Sequence, residues 1–122
     1  MGTERAEGEA GAVTAEAAVV VPMLALLTVG LAWLVTLGVT HVRVVDAARE
    51  AARVVARGES EAAGAALARR VGPPESRVVV SADNDVVVVT VRAPAKGPGG
   101  LFAFLPDVTL HAQAVAAKEP GW

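Results

Sequence analysis

The sequence predicts an α+β protein: a long N-terminal transmembrane helix that extends into a small domain with a second short helix and a three-stranded antiparallel sheet. Three observations predict this fold. The 24 residues from Ala17 to Thr40 carry no charged side chain, and a helical pattern of charges continues to Arg57. After Arg77 the apolar residues follow the period of strands. With 122 residues, the chain has room for one small domain and an anchor.

The uncharged run predicts a membrane span. A helix rises about 1.5 Å per residue, so 24 residues cover about 36 Å, which exceeds a hydrocarbon core of about 30 Å. The run contains Pro22, Gly30 and Gly38. Proline removes a backbone donor and predicts a kink at Pro22, and membrane helices tolerate such breakers. Membrane lipid is therefore the first predicted partner.

The helical pattern continues beyond the span, from Val42 to Arg57. Charged residues recur there at spacings of three and four: Arg43, Asp46, Glu50, Arg53 and Arg57. The opposite face is apolar and carries Val44, Val45, Ala48, Ala51, Ala52 and Val55. This is an amphipathic helix, with ion pairs expected between Arg43 and Asp46 and between Glu50 and Arg53.

Capping residues predict where the helices end. Gly58 is a natural C′ residue for the long helix. Ser60 can cap a second helix that runs to about Val71, and Gly72-Pro73-Pro74 ends it.

Valine-rich runs predict the sheet. Residues Arg77 to Ala82 and Val86 to Arg92 read as a hairpin joined by Asp83-Asn84-Asp85, and Val108 to Ala116 alternates as a third strand. The stretch Ala93 to Gly100 is a loop by composition. The apolar patch Leu101 to Leu105 forms a turn of helix or a plug over the core. A three-stranded meander needs a cover for its apolar face, and the alanine face of the long helix is the candidate.

Composition narrows the function. The net charge of −2 offers no basic footprint for nucleic acid, and without cysteine the chain forms no disulfide. His41 and His111 lie 70 positions apart with no ligand cluster at metal spacing. No nucleophile elbow, phosphate-binding glycine loop or paired carboxylates occur. We therefore predict no enzyme activity, no cofactor, no metal and no small-molecule substrate.

The most informative residue is Glu16, which opens the apolar run five positions after Gly11. A carboxylate at the edge of a membrane segment is costly and is usually kept for a partner or a function. The alternative is a structural role, because an acidic side chain in the first turn of a helix is favourable. Gly2 and Gly8 do not fit the same pattern, since neither is followed both by a glutamate five residues on and by an apolar run.

Residues Gly11-Ala12-Val13-Thr14-Ala15-Glu16, the apolar helix with Pro22, the segment Asp46 to Arg53 and the short β tail together resemble the TadE-like pseudopilins of the tight-adherence (Tad/Flp) pilus. The resemblance implies a leader, residues 1–11, that a prepilin peptidase removes after Gly11. Ala12 would become the mature N-terminus, and Glu16 would direct assembly by pairing with an N-terminal amine. Residues 12–42 would form the transmembrane helix and residues 43–122 an extracytoplasmic pilin-like domain.

The implied function is that of a minor pilin or pseudopilin, a structural subunit. Its partners would be other pilin-like subunits, the pilus assembly platform and the peptidase. The resemblance implies a single-pass protein of the cell membrane with a cytoplasmic N-terminus, incorporated in a surface pilus. Arginine counts favour the reverse orientation, since Arg5 stands alone before the span and four arginines follow it: Arg43, Arg49, Arg53 and Arg57. The alternative function is an uncleaved single-pass membrane protein whose small domain binds a partner protein.

Overall fold

The computed structural model describes residues 2–96 and 108–119, with side chains from Gly8 onward. In chain order the elements are α1 (Gly2–Ala56), α2 (Glu61–Val71), β1 (Arg77–Ala82), β2 (Val86–Ala95) and β3 (Val108–Ala117). The strands form one antiparallel sheet in the order β1-β2-β3. This confirms the predicted fold class. The chain divides into two compact units, Met1–Leu34 and Val35–Trp122, and the division falls inside α1.

The first unit is an apolar helix without a core. Val29 and Trp33 are half-buried. Ten other large apolar side chains are between 48% and 74% exposed: Val13, Val19, Val20, Val21, Met23, Leu24, Leu26, Leu27, Leu31 and Leu34. By length and composition, the stretch Gly8–Ala56 of α1 is able to cross a membrane, and none of its most apolar window is buried. A core helix of a soluble domain would instead hide its apolar surface within the fold.

The second unit contains the hydrophobic core. The C-terminal part of α1 contributes one buried face: Val44, Ala47, Ala48, Ala51, Ala52, Val55 and Ala56. The central strand contributes every second residue, Val87, Val89, Val91 and Ala93, and α2 contributes Ala68. The predicted cover of the sheet by alanines of the long helix is therefore confirmed, with Ala47 added and Val45 only half-buried.

Local chemistry ends α1 and begins α2 as predicted. Gly58 has φ +107°, its N–H donates to the carbonyl of Val55 at 3.0 Å, and the N–H of Glu59 donates to Val54 at 3.3 Å. These two bonds form a Schellman motif, which needs a left-handed residue at this position. Ser60 then caps α2 by accepting from the N–H of Ala63 at 3.0 Å.

The two predicted ion pairs of α1 have different outcomes. Glu50 and Arg53 form a pair at 3.8 Å. Arg43 instead donates from Nη2 to the carbonyl of Gly72 at 3.0 Å, which ties α1 to the end of α2. The second helix also approaches α1 at Gly64, which is buried and has room for no side chain beside Val55.

The predicted end of β2 is wrong. The strand continues through Ala93, Pro94 and Ala95, where the sequence predicts a loop. Ala93 and Ala95 are buried, and the three residues pair with Leu110, Thr109 and Val108 of β3. β1 begins at Arg77, opposite Arg92, so within residues 2–96 and 108–119 the strand β2 has only one neighbour beyond Arg92. A proline is tolerated on such an edge.

The rest of the predicted loop, from Gly97 on, and the apolar patch Leu101 to Leu105 lie outside the described residues. β3 runs one residue beyond its predicted end. Its alternation places His111 on the exposed side of the sheet, as predicted.

Candidate functional site

The predicted leader-cleavage residues lie on the exposed surface of α1. Gly11 and Ala12 are both helical and exposed. A Cβ added at Gly11 would meet no heavy atom within 4 Å. Packing within the described structure therefore does not require glycine at this position, and its effect is on the helix itself. Glycine in a helix interior is less favourable than alanine by about 1 kcal/mol, so Gly8 and Gly11 make this segment easier to unwind.

Glu16 lies on the same side of α1 as Ala12. The two residues are four positions apart, a spacing that makes them neighbours on a helix surface. Gly11 is five positions away and faces a different side, because successive residues turn by about 100°. The helix thus places the carboxylate one turn from the residue that cleavage would expose.

The surroundings of Glu16 are apolar and open. Glu16 is exposed, and the nearby Val13, Val19 and Val20 are exposed as well. Thr14 donates its hydroxyl to the carbonyl of Ala10 at 2.9 Å and so turns towards the backbone. Among the described residues, Glu16 takes part in neither of the two ion pairs, Glu50–Arg53 and Glu75–Lys96. A carboxylate in such a position is available to a group outside its own subunit.

Pro22 lies inside α1, and the helix is continuous through it. The predicted kink at this residue stays a prediction.

Comparison with known proteins identifies the family. Residues 11–53 match the model of the TadE-like protein family. A protein of Mycobacterium tuberculosis (strain ATCC 25618 / H37Rv), named apoptosis inhibitor Rv3655c, is 38% identical over 106 residues, which cover 87% of this chain and 78% of the relative. The chain belongs to the TadE-like family. No solved structure matches it.

The TadE-like family is pilin-like, structural and associated with the Tad pilus. Together with the apolar α1, membership indicates a single-pass, membrane-anchored protein. The match begins at Gly11 and includes Ala12, Glu16 and Pro22. The predicted cleavage, assembly and kink residues therefore lie inside the part of the chain that matches the family.

In this TadE-like protein, the sheet assembles a feature that sequence reasoning missed. Arg77 pairs with Arg92, and Arg92 pairs with His111, so three nitrogen-bearing side chains lie in one row across the exposed side of the sheet. A shallow groove of about 610 Å³ begins beside this row and is lined in part by Arg77, Arg92 and Thr109. These three residues are far apart in the sequence, and the pairing of the strands places them side by side. The sequence does not predict which residues pair unless the geometry of the turn is known.

The described residues contain no cluster of histidine, aspartate and glutamate that could hold a metal ion. Two other grooves among the described residues are open surface depressions. One of about 510 Å³ lies along the turn from Val55 to Glu61, and another of about 290 Å³ lies between α1 and β3.

Proposed function

We propose that this protein is a minor pilin or pseudopilin, processed by a prepilin peptidase after Gly11 and assembled into a Tad/Flp-type pilus. One observation carries the proposal: an exposed carboxylate, Glu16, stands on an apolar helix one turn from Ala12 and has no ion-pair partner among the described residues. The family match supports it, since it begins at Gly11. The protein is a structural subunit and catalyses no reaction.

Cleavage after Gly11 would create the partner for this carboxylate. The new α-amino group of Ala12 is a cation at the membrane edge. Charges near a low-dielectric region attract more strongly than in water, and an unpaired charge there is penalised. Both charges occupy a single helical turn. A neighbouring subunit can pair with them only when it presents its own first turn at the same level, so the pairing favours a fixed axial register.

The peptidase must reach the backbone at Gly11, and the local sequence helps it. A helical backbone is already hydrogen-bonded to itself, so the segment has to unwind before an enzyme can bind it. Gly8 and Gly11 lower helix stability there. The side of Gly11 is open, with no atom within 4 Å of an added Cβ.

The substitution Gly11→Leu tests the proposal. It should block maturation, because leucine stabilises the helix and adds bulk at the cleavage point. Intact-mass analysis of membrane-extracted protein should then retain the eleven leader residues, about 1.1 kDa of the 12.3 kDa chain. Gly8→Leu is the matched control, since that position is equally open and helical, and it should mature normally. Normal maturation of Gly11→Leu would contradict the proposed cleavage point.

We place the C-terminal domain outside the cytoplasm. Arginines after the span oppose this orientation by the positive-inside rule. One of them, Arg43, has a structural role on either side of the membrane, because it donates to the carbonyl of Gly72 at 3.0 Å.

A second candidate function is an uncleaved membrane protein whose small domain binds a partner protein. The observation that favours it is the mycobacterial relative, whose name attributes to that protein the inhibition of apoptosis. N-terminal sequencing separates the two functions. A chain that begins at Ala12 supports the pilin, and a chain that retains residues 1–11 supports the partner-binding protein.

A further inference from the structure

The sheet has an outer face, defined here as the side opposite the core, which no described element covers. Its centre is apolar. Val79 on β1 is 65% exposed and Val115 on β3 is 66% exposed. Val88, on the central strand β2, pairs with Val115. β-branched side chains suit a sheet surface that is at least half-buried, so this centre is suited to contact with another protein.

The two ends of the outer face carry opposite charges. At one end Arg77 and Arg92 lie directly opposite each other, with His111 next in the row. At the other end are the exposed carboxylates of Asp83 and Asp85, in the turn between β1 and β2. Arg77 and Asp83 are six residues apart, which is about 20 Å at a rise of about 3.3 Å per residue. Among the described residues, none of these five side chains forms an ion pair.

We propose that the outer face binds the outer face of a second copy of this chain, with the strands of the two sheets antiparallel. Stacked sheets pack about 10 Å apart with their strands roughly aligned. A two-fold axis across the strands places the basic end of each sheet over the acidic end of the other. It brings Arg77 opposite Asp83 twice, once for each subunit.

Charge decides the orientation. A two-fold axis parallel to the strands would instead place the two basic rows together and the two acidic turns together, and like charges in contact are unfavourable. Within one subunit the Arg77–Arg92 pair already places like charges on directly opposite residues, which is destabilising. A carboxylate from the second copy relieves this repulsion.

The size of the face predicts a weak complex. Three strands about 4.8 Å apart and about 20 Å long give a footprint on the order of 300 Å² per subunit. A stable interface buries about 800 Å² per partner. We therefore expect a weak, transient dimer. Cross-linking is the suitable measurement because it captures complexes that dissociate quickly. The inference does not depend on cleavage at Gly11.

The chain contains no cysteine, so a single introduced cysteine reports one position without background from native thiols. Thr90→Cys lies on the central strand near the proposed axis. Sheets about 10 Å apart are too distant for a direct disulfide, so a short thiol-specific bifunctional reagent should link this variant into a dimer in detergent-solubilised full-length protein. Ala66→Cys, on an exposed part of α2, is the control for cross-links that form by random collision between proteins. We expect at least a several-fold higher dimer fraction at Thr90. Equal fractions at the two positions would overturn the proposal.

Charge reversal tests the role of the ends. In the Thr90→Cys protein, Arg77→Glu should reduce the dimer fraction to the level of the Ala66→Cys control. This substitution replaces an unfavourable Arg–Arg pair by a favourable Glu–Arg pair, so it should not weaken the fold. Adding Asp83→Arg should restore cross-linking, because both inter-subunit pairs are then reversed. A dimer fraction insensitive to Arg77→Glu, or one not restored by the second change, would overturn the pairing.

The orientation has its own test. A mixture of His111→Cys and Ala117→Cys proteins should form the mixed dimer, because antiparallel stacking places opposite ends of β3 together. Each protein alone should remain at the collision level. Absence of the mixed dimer would rule out antiparallel stacking. If Thr90→Cys still cross-links, that result would indicate the parallel arrangement of two copies, and if it does not, the outer face has another occupant, such as an anionic ligand of the basic row.

Discussion

At the scale of single residues, Glu16 combines three properties that are unfavourable together unless a partner exists. It carries a carboxylate, it lies among exposed valines, and it has no ion-pair partner among the described residues. The sequence predicts the residue and its spacing from Gly11. The structure adds that Ala12, not Gly11, shares its side of the helix.

Removal of the Glu16 charge should impair assembly and leave membrane insertion intact. We expect Glu16→Ala and the isosteric Glu16→Gln to accumulate in the membrane and to be depleted from sheared pilus fractions. Glu16→Asp keeps the charge and should retain most incorporation. Glu9→Ala is the control, since Glu9 is also exposed on α1 but belongs to the predicted leader. Quantitative immunoblotting of the two fractions gives the result. Normal incorporation of Glu16→Gln would argue against pairing by charge.

Gly64 determines how closely α2 approaches α1. An added Cβ there would overlap Cγ2 of Val55. Gly64→Val should destabilise the domain by about 1–3 kcal/mol, as overpacking does. Ala66→Val is the control for valine's lower helix propensity, because Ala66 is exposed. The midpoint of urea unfolding in detergent measures both variants. Combining Gly64→Ala with Val55→Ala should be less destabilising than the sum of the single changes, and strict additivity would contradict direct contact.

At the scale of elements, the predictable parts are those that local chemistry determines. Gly58 and Ser60 end and begin helices through hydrogen bonds to residues within five positions. The end of β2 was not predictable in this way. Ala93-Pro94-Ala95 has the composition of a loop, and only pairing with β3, more than ten residues away, makes it a strand.

The extension of β2 is tested by a charge at Ala93, which is 1% exposed and opposite Leu110. Ala93→Asp would place a carboxylate in the core without a partner, and we expect a loss of about 3–5 kcal/mol, as for an uncompensated buried charge. Thr109→Asp lies on the exposed side of the neighbouring strand and should change stability little. Thermal unfolding followed by circular dichroism distinguishes the two. Similar stability of the two variants would indicate that residues 93–95 form a loop and not part of β2.

At the scale of the whole molecule, the sequence predicts the anchor and the fold class, but it does not predict the charged row on the sheet. That row depends on pairing Arg77 with Arg92 and Arg92 with His111. The predicted ends of the hairpin strands, Ala82 and Val86, match the structure, but these ends do not determine which residues pair. A one-residue shift in the pairing exchanges the two faces of a strand. The observed ladder closes with the N–H of Asp83 donating to Val86 at 2.8 Å.

The orientation of the molecule is a prediction at this scale. With no native thiol, a cysteine at Ala66 reports which side of the membrane α2 occupies. In intact cells a membrane-impermeant maleimide should label Ala66→Cys. In the Gly11→Leu protein, which should retain the predicted leader, a cysteine at Gly8 should be labelled only after the cells are opened. Labelling with the reverse pattern would place the domain in the cytoplasm, as the arginine count favours.

The most direct test of the central claim is the N-terminal residue of the wild-type protein purified from its host's membranes. We expect a chain that begins at Ala12 and is about 1.1 kDa lighter than the 12.3 kDa precursor. Its free amine would then stand one helical turn from Glu16. A membrane protein that retains residues 1–11 would have no such amine, and this result would contradict the proposed role in pilus assembly.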